Sequence, residues 1–497
     1  MWIHHPHRVP GDRSPTYLRR VTTSPETTTS WPDHLPTTLG TLRASGHVHR
    51  TVKQEISVNL LELMRTGKPR FPGVVGFDDT VLPDLERALL AGHDLVLLGE
   101  RGQGKTRLIR TIVGLLDEWT PVIEGAELNE HPYDPITPAS IRRAAECGDD
   151  LPVAWVNREA RYAEKLATPD TSVGDLIGDV DPMKVAQGRT LGDPETIHFG
   201  LVPRMHRGIM AVNELPDLAE RIQVALLNVL EERDVQVRGY VLRLDLDLLL
   251  LASANPEDYT NRGRIITPLK DRFGAEIRTH YPVDLDLEMT LVRQEAQLAA
   301  VLPDHLVEVL ARFTRAVRES TAVDQRSGVS ARFSIAAAET VAASALRRAT
   351  LNGEETPAVA RVGDTDAITG TLRGKVEFEA DGEGREMELL EHLLRRSVAE
   401  TWRNRLAGID LTGFVAAVAE GAGVSTGEAV ASADLLAQLG TVPGLSTVLE
   451  RLGFDDVPGP AEAASAIEFT LEGLHLTRRL AKDFLADGRT VYGGDGA

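Results

Sequence analysis

The sequence predicts an α/β fold with a parallel central sheet, followed by a helical lid and a mainly helical C-terminal extension. Three observations carry this. Short apolar runs of strand length at Leu95–Leu98, Gly208–Asn213, Leu248–Ala254 and Ala275–Tyr281 alternate with stretches of helical periodicity. Such alternation implies a mostly parallel sheet whose functional groups gather at the strands' carboxyl ends. The first run stops abruptly in a glycine-rich loop, and from Asp284 onward the periodicity is helical almost throughout.

That loop, GERGQGKT at Gly99–Thr106, has the spacing G-x-x-x-x-G-K-T. Its glycines, Gly99, Gly102 and Gly104, let the backbone turn tightly so that successive N–H groups face phosphate oxygens, and the helix that follows presents its positive end. Lys105 would neutralise the β- and γ-phosphates and Thr106 would place its hydroxyl on Mg²⁺, so the loop predicts ATP and Mg²⁺ as ligands. An apolar strand before it and an amphipathic run after it (Leu108, Ile109, Ile112, Val113, Leu116) are the context this motif requires.

Composition narrows the class. At 497 residues the chain is long enough for more than one domain. Hydrophobic residues make up 42% and charged residues 26%, and no apolar run approaches the about 18 residues of a membrane span. One cysteine, Cys147, excludes an internal disulfide framework and a cysteine-rich zinc site and fits a reducing cytoplasm. The opening MWIHHPHRVPGDRSP lacks the basic-then-apolar plan of a secretory signal. A formal charge of −20 argues against a general nucleic-acid binder.

In order along the chain, residues 1–45 read as a disordered tail, Pro/Ser/Thr-rich and without periodicity. Residues 1–50 hold six arginines (Arg8, Arg13, Arg19, Arg20, Arg43, Arg50) and six histidines (His4, His5, His7, His34, His47, His49). Histidines at this density raise the question of a metal site, which the aperiodic text disfavours. Residues 46–282 read as the α/β nucleotide-binding domain. A helical pattern runs from His49 to Met64 and is broken by Pro69 and Pro72; Asp79 then caps a helix that reaches Leu90. Pro121–Gly125 and Pro152–Val156 are further strands. The loop between them carries Glu127, Glu130, His131 and Asp134 and reads as a surface loop, its prolines and irregular spacing arguing against a metal site. Val173–Phe199 reads as a polar insertion and Val235–Arg243 as a hairpin. Residues 283–352 form the helical lid: Leu306, Val309, Leu310, Phe313 and Val317 mark one amphipathic helix, and Ser330 caps a second that carries Arg332. Residues 353–497 form the extension, with a β-like piece at Lys375–Ala380, an acidic glycine loop after it, and a helix from Glu388 to Arg405.

Four further groups complete an ATPase on this frame. Glu214, at the end of a buried strand, is placed to orient or deprotonate water; Asn255, at the tip of the next, to position that water or touch the γ-phosphate. Arg272 and Arg332 are candidates to stabilise charge on the transferred phosphoryl group. A strand-end Glu or a loop Arg alone is ordinarily solvated or salt-bridged, so it is their order that informs.

GERGQGKT, GIMAVNEL, LASANPED, PLKDRFG and SARFS resemble, in that order, the Walker A, Walker B, sensor 1, arginine-finger and sensor 2 segments of AAA+ ATPases. FPGVVG, VGDLIGDVD, NVLEERDVQV and KDRFG resemble the magnesium-chelatase I subunit and its MoxR-type relatives. The resemblance covers about Thr51 to Ala343. It implies an ATP-hydrolysing ring, usually a hexamer, that remodels a protein partner, often one with a von Willebrand factor A domain. It also implies that Arg272 reaches the ATP of a neighbouring subunit.

One departure stands at the Walker B strand, which normally ends Asp-Glu and here ends Asn213-Glu214. An Asn keeps an oxygen for a Mg²⁺-bound water but has no charge, so Asn213→Asp is expected to lower the Mg²⁺ requirement. Other readings stay open: an ATPase subunit of a tetrapyrrole metal chelatase, a slowly hydrolysing nucleotide-binding scaffold, and a transcription-regulator-like AAA+ protein. The last lacks a GAFTGA-like string between Val173 and Phe199.

Overall fold

The computed structural model describes residues 31–493 apart from 187–195, 232–233, 238–239, 257–263, 325–327, 355–356, 380–383, 421–422, 440–442, 455–457 and 487. The described residues form two compact units that meet in sequence at Tyr281 and Pro282.

The first unit is built on five strands: β1 (Leu95–Leu98), β2 (Tyr162–Leu166), β3 (Gly208–Asn213), β4 (Leu248–Ala254) and β5 (Ala275–Arg278). They lie in the order β5-β1-β4-β3-β2 and every neighbouring pair is parallel. Alternating side chains serve opposite faces. Val96, Leu98, Met210, Val212, Leu250 and Ala252 pack on one side with Leu226 and Phe273. Leu95, Leu97, Ile209, Ala211, Leu249 and Leu251 pack on the other with Ile56, Leu85, Leu108 and Ile112. Burial on both faces explains why these strands read as continuous apolar runs.

The helices that cover the sheet begin with α1 (Leu39–Ala44), α2 (Val52–Thr66), α3 (Val81–Leu90) and α4 (Lys105–Ile112). They continue with α5 (Pro138–Cys147), α6 (Glu220–Glu231) and α7 (Thr267–Arg272). Several expectations are corrected here. The tail expected to reach residue 45 instead contains α1, capped by Thr38 and burying Leu39 and Leu42, while residues 1–30 lie outside the described part. The N-cap of α3 is Thr80, not Asp79, and it makes no side-chain cap bond. The strands Trp119–Ile123 and Val153–Asn157 pair antiparallel with each other in a separate two-stranded sheet. Within the Val173–Phe199 region, Gly178–Val180 pairs antiparallel with Ile197–Phe199. The expected hairpin is present as Asp234–Val237 against Tyr240–Arg243.

The loop carrying Glu130 and His131 is not on the surface, for both residues are fully buried. Glu130 accepts from the Ile136 and Thr137 N–H groups and from the Thr137 and Ser140 hydroxyls, which ties the loop to the start of α5. His131 stacks on His47 and His49, so two of the N-terminal histidines belong to packed structure. His131 Nδ1 accepts the Tyr133 N–H at 2.9 Å, which leaves its proton on Nε2, 3.1 Å from His47 Nε2. A nitrogen that carries a proton is no metal ligand, and among the described residues no group of three or more His, Cys, Asp or Glu is arranged to hold a metal.

The second unit holds the helices Leu285–Glu295, Asp304–Arg318, Ala331–Leu351, Glu386–Arg405 and Pro460–Leu476 around one hydrophobic core running from Met289 to Tyr492. The boundary expected at residue 352 therefore crosses a continuous core. The extension is mainly helical as expected, and it also holds a small antiparallel sheet in which Val424–Thr426 and Lys482–Phe484 flank Thr490–Tyr492. The β-like piece is a single bridge, Val323 to Phe378, and part of the acidic glycine loop, 380–383, lies outside the described residues. Among the described residues no helix is long and apolar enough to cross a membrane.

Candidate functional site

The sheet brings the predicted residues of the first unit together because β1, β3 and β4 are neighbours and end level: Leu98 is paired with Ala254, and Gly99 N donates to Ala254 O at 3.2 Å. Beyond Leu98 the loop turns through Gly102 (φ 74°) and Gly104 (φ 77°), left-handed conformations that favour glycine. Gly99 is fixed by space instead, since a Cβ there would overlap Thr279 Oγ1 and Gln103 Oε1. Gln103 is the loop's internal strut. Its Oε1 accepts from Glu100 N at 3.1 Å and from Thr279 Oγ1 at 2.9 Å, and Tyr281 OH adds a bond to Arg101 O at 2.8 Å. The sequence reading did not single out Gln103, Thr279 or Tyr281; the tether between loop and β5 exists only once β5 lies beside β1.

Helix α4 starts at Gly104 with no side-chain cap. A glycine at the N-cap has no side chain to lay over the first turn, an arrangement suited to an anion at the helix's positive end. Lys105 is buried, 7% exposed. Its ammonium donates to Asn255 Oδ1 and Glu100 O, both at 2.8 Å, and to Gly99 O. Thr106 is half-buried on the same turn. A cradle of backbone donors with one buried cation fits a nucleotide phosphate, and the Thr106 hydroxyl with the Asn213 amide supplies oxygen donors of the kind Mg²⁺ takes.

Glu214 follows β3 directly and adopts φ 54°, ψ 47°, unusual for a residue with a side chain. Backbone strain of this kind collects at functional sites. Glu214 Oε2 accepts from Asn255 Nδ2 at 3.0 Å, so Asn255 joins Lys105 to Glu214 through the two ends of one amide. Glu214 N donates to Ser253 Oγ at 3.3 Å, and Ser253 Oγ donates to Asn213 Oδ1 at 3.0 Å. Asn213 Nδ2 donates to Glu164 Oε1 at 2.7 Å. Glu164 was missed in the sequence because its strand, YAEKL, carries no apolar run; its only signal is an acid flanked by alternating side chains.

The two arginines belong to other elements. Arg272, at the end of α7, pairs with Glu231 at the end of α6, both partly exposed. Arg332 is exposed in the first turn of Ala331–Leu351 in the second unit, its N–H capped by Ser330 Oγ at 3.1 Å.

No protein-family model matches the chain. Among curated proteins it is 26% identical over 253 residues to the magnesium-chelatase subunit ChlI-1 of Arabidopsis thaliana, covering 48% of this chain and 55% of that one. It is 28% identical over 208 residues to the ChlI subunit of Guillardia theta, covering 41% and 55%. The chain thus spans about half the length of the curated relatives it matches. Among solved structures, the complex of the BchI and BchD subunits of magnesium chelatase aligns at 20% identity over 65% of this chain and 98% of that one, TM-score 0.34. A crystal structure of a Cytophaga hutchinsonii protein aligns at 16% identity over 71% of this chain and 98% of that one, TM-score 0.30. Over about half of its length the chain resembles the I subunits of magnesium chelatase.

Proposed function

We propose that the chain is a Mg²⁺-dependent ATPase whose subunits act in a ring to remodel a protein partner. The observation that carries this is the linked set Lys105–Asn255–Glu214, a cation, an amide and a carboxylate at the ends of three adjacent parallel strands. In this reading Gly99, Gly102, Gly104 and Lys105 hold the phosphates, and Lys105 exchanges the loop carbonyls for phosphate oxygens. Thr106 and Asn213 hold Mg²⁺, Asn213 through water, and the ion neutralises phosphate charge when bound. Glu214 takes the proton of the attacking water, and Asn255 fixes the carboxylate that does so. Arg272 and Arg332 supply positive charge toward the transferred phosphoryl group, Arg272 across a subunit interface. A homo-oligomer, a hexamer by analogy, and a partner with a von Willebrand factor A domain go with this reading, as does a cytoplasmic location. The names of the relatives support a second reading, an ATPase subunit of a tetrapyrrole chelatase, whose mark would be stimulation of turnover by a chelatase partner subunit.

The test is a mixing assay. Lys105→Ala should abolish ATP binding, and Arg272→Ala should bind ATP but lose about 10³-fold or more in turnover. Mixed, the two inactive chains should recover activity, each supplying what the other lacks. Lys105→Ala with unchanged ATP affinity would remove the site; a mixture as inactive as its parts, or a monomer at every concentration with ATP present, would remove the ring.

A further inference from the structure

On the ATPase reading, we propose that Glu164 is a positioning residue which supplies the negative charge on the metal side of the site, acting through Asn213, so that the pair Glu164 and Asn213 replaces a single aspartate at the end of β3. A carboxylate only accepts, so the Asn213 atom 2.7 Å from Glu164 Oε1 must be its amide nitrogen. That fixes the amide: its oxygen faces the Ser253 hydroxyl, and Ser253 in turn receives the N–H of Glu214. The relay therefore runs from Glu164 through Asn213 and Ser253 to the residue placed to activate water.

Glu164 is itself held from two sides. Arg110 grips both its oxygens, Nε to Oε2 at 2.8 Å and Nη2 to Oε1 at 3.1 Å, and Tyr162 OH donates to Oε2 at 2.9 Å. The Arg110 guanidinium, the Tyr162 hydroxyl and the Asn213 amide thus all donate to this one carboxylate. Arg110 sits one turn after Thr106 on α4, on the same helix face. The relay thus fastens the helix that carries the phosphate loop to the strand that carries Glu214, which a lone surface ion pair would not do.

This reverses the expectation drawn from sequence. Asn213→Asp would set a second carboxylate against Glu164 at hydrogen-bond distance, with no donor between them. The family-like residue should therefore weaken the site unless Glu164 is neutralised as well.

Full-length chains carrying Asn213→Asp, Glu164→Gln, or both are titrated with a fluorescent ADP analogue in Mg²⁺ and again in EDTA. In EDTA all should bind as the wild type does, because Lys105 and the loop are untouched. In Mg²⁺ each single variant should lose about tenfold or more in affinity, the effect of an unmatched charged hydrogen bond, and the double variant should recover most of it. An Asn213→Asp chain that binds Mg²⁺-nucleotide as well as wild type, or a double variant no better than the worse single, overturns the proposal. If Asn213→Asp does not fold, Glu164→Gln decides, since it brings no repulsion: unchanged Mg²⁺-dependent affinity there overturns it. Wild type that binds no nucleotide in either buffer would defeat the ATPase reading itself, whereas binding without coupling defeats only the pairing.

Discussion

Asn255 shows how much one side chain can decide. Its two amide atoms face opposite partners, the oxygen toward Lys105 and the nitrogen toward Glu214; an Asp there would lose the second bond and a Leu both. Elsewhere a single residue sets a pH limit. His305 is fully buried between Phe469 and Phe454, and neither ring nitrogen has a hydrogen-bond partner among the described residues. Burial, with a smaller contribution from Arg405, pushes it down to about 3. A histidine that stays neutral when folded is protonated first in the unfolded chain. Its stabilising effect is thus complete above the ordinary value of 6.5 and is lost as the pH falls from there toward about 3, by about 1.4 kcal/mol per pH unit. Thermal melts between pH 7 and pH 4.5 should show the second unit weakening in acid, and His305→Phe should flatten that slope. An unchanged slope would place the acid sensitivity in other groups, such as His131 and His206 in the first unit, which burial also pushes down.

At the level of elements, what was legible follows from burial. Strands β1, β3 and β4 are apolar at nearly every position because both faces are covered, and Gly99, Asn213, Glu214 and Asn255 stand at their ends. Strand β2 is the sheet's edge, with Glu164 and Lys165 along it, so it has no such signature and Glu164 went unseen with it. The strand at Trp119–Ile123 was legible as a strand, but its text does not say that it pairs away from the main sheet. The buried Glu55–Arg161 pair, with both bonds at 2.7 Å, likewise joins residues distant in sequence that no local pattern could connect. The loop itself yields a sharp expectation. Gly99→Ala would force a methyl into Thr279 and Gln103, costing about 1–3 kcal/mol and loosening the strut that shapes the loop. Melting and ADP titration should both register the change; a variant with native stability and affinity would show that the strut can yield.

For the molecule as a whole, the sequence distinguished an α/β half from a helical half, and the chain divides at Tyr281. It did not reveal that the second half is one body. Residues from Met289 to Tyr492 share a core, and the closing strand Thr490–Tyr492 returns to pair with two others, a long-range pairing that only the folded chain displays. The buried pair Arg348–Asp364 straddles the boundary the periodicity had suggested. Glu214 remains the residue on which the functional account turns. Glu214→Gln keeps its shape and an oxygen for Asn255, and removes only the base. ATP affinity and steady-state turnover measured side by side in wild type and Glu214→Gln should show equal binding and a turnover lower by about 10²- to 10⁴-fold. Turnover within a few-fold of wild type, or an Mg²⁺-ATP affinity that collapses together with it, would contradict the assignment of Glu214 as the group that activates water.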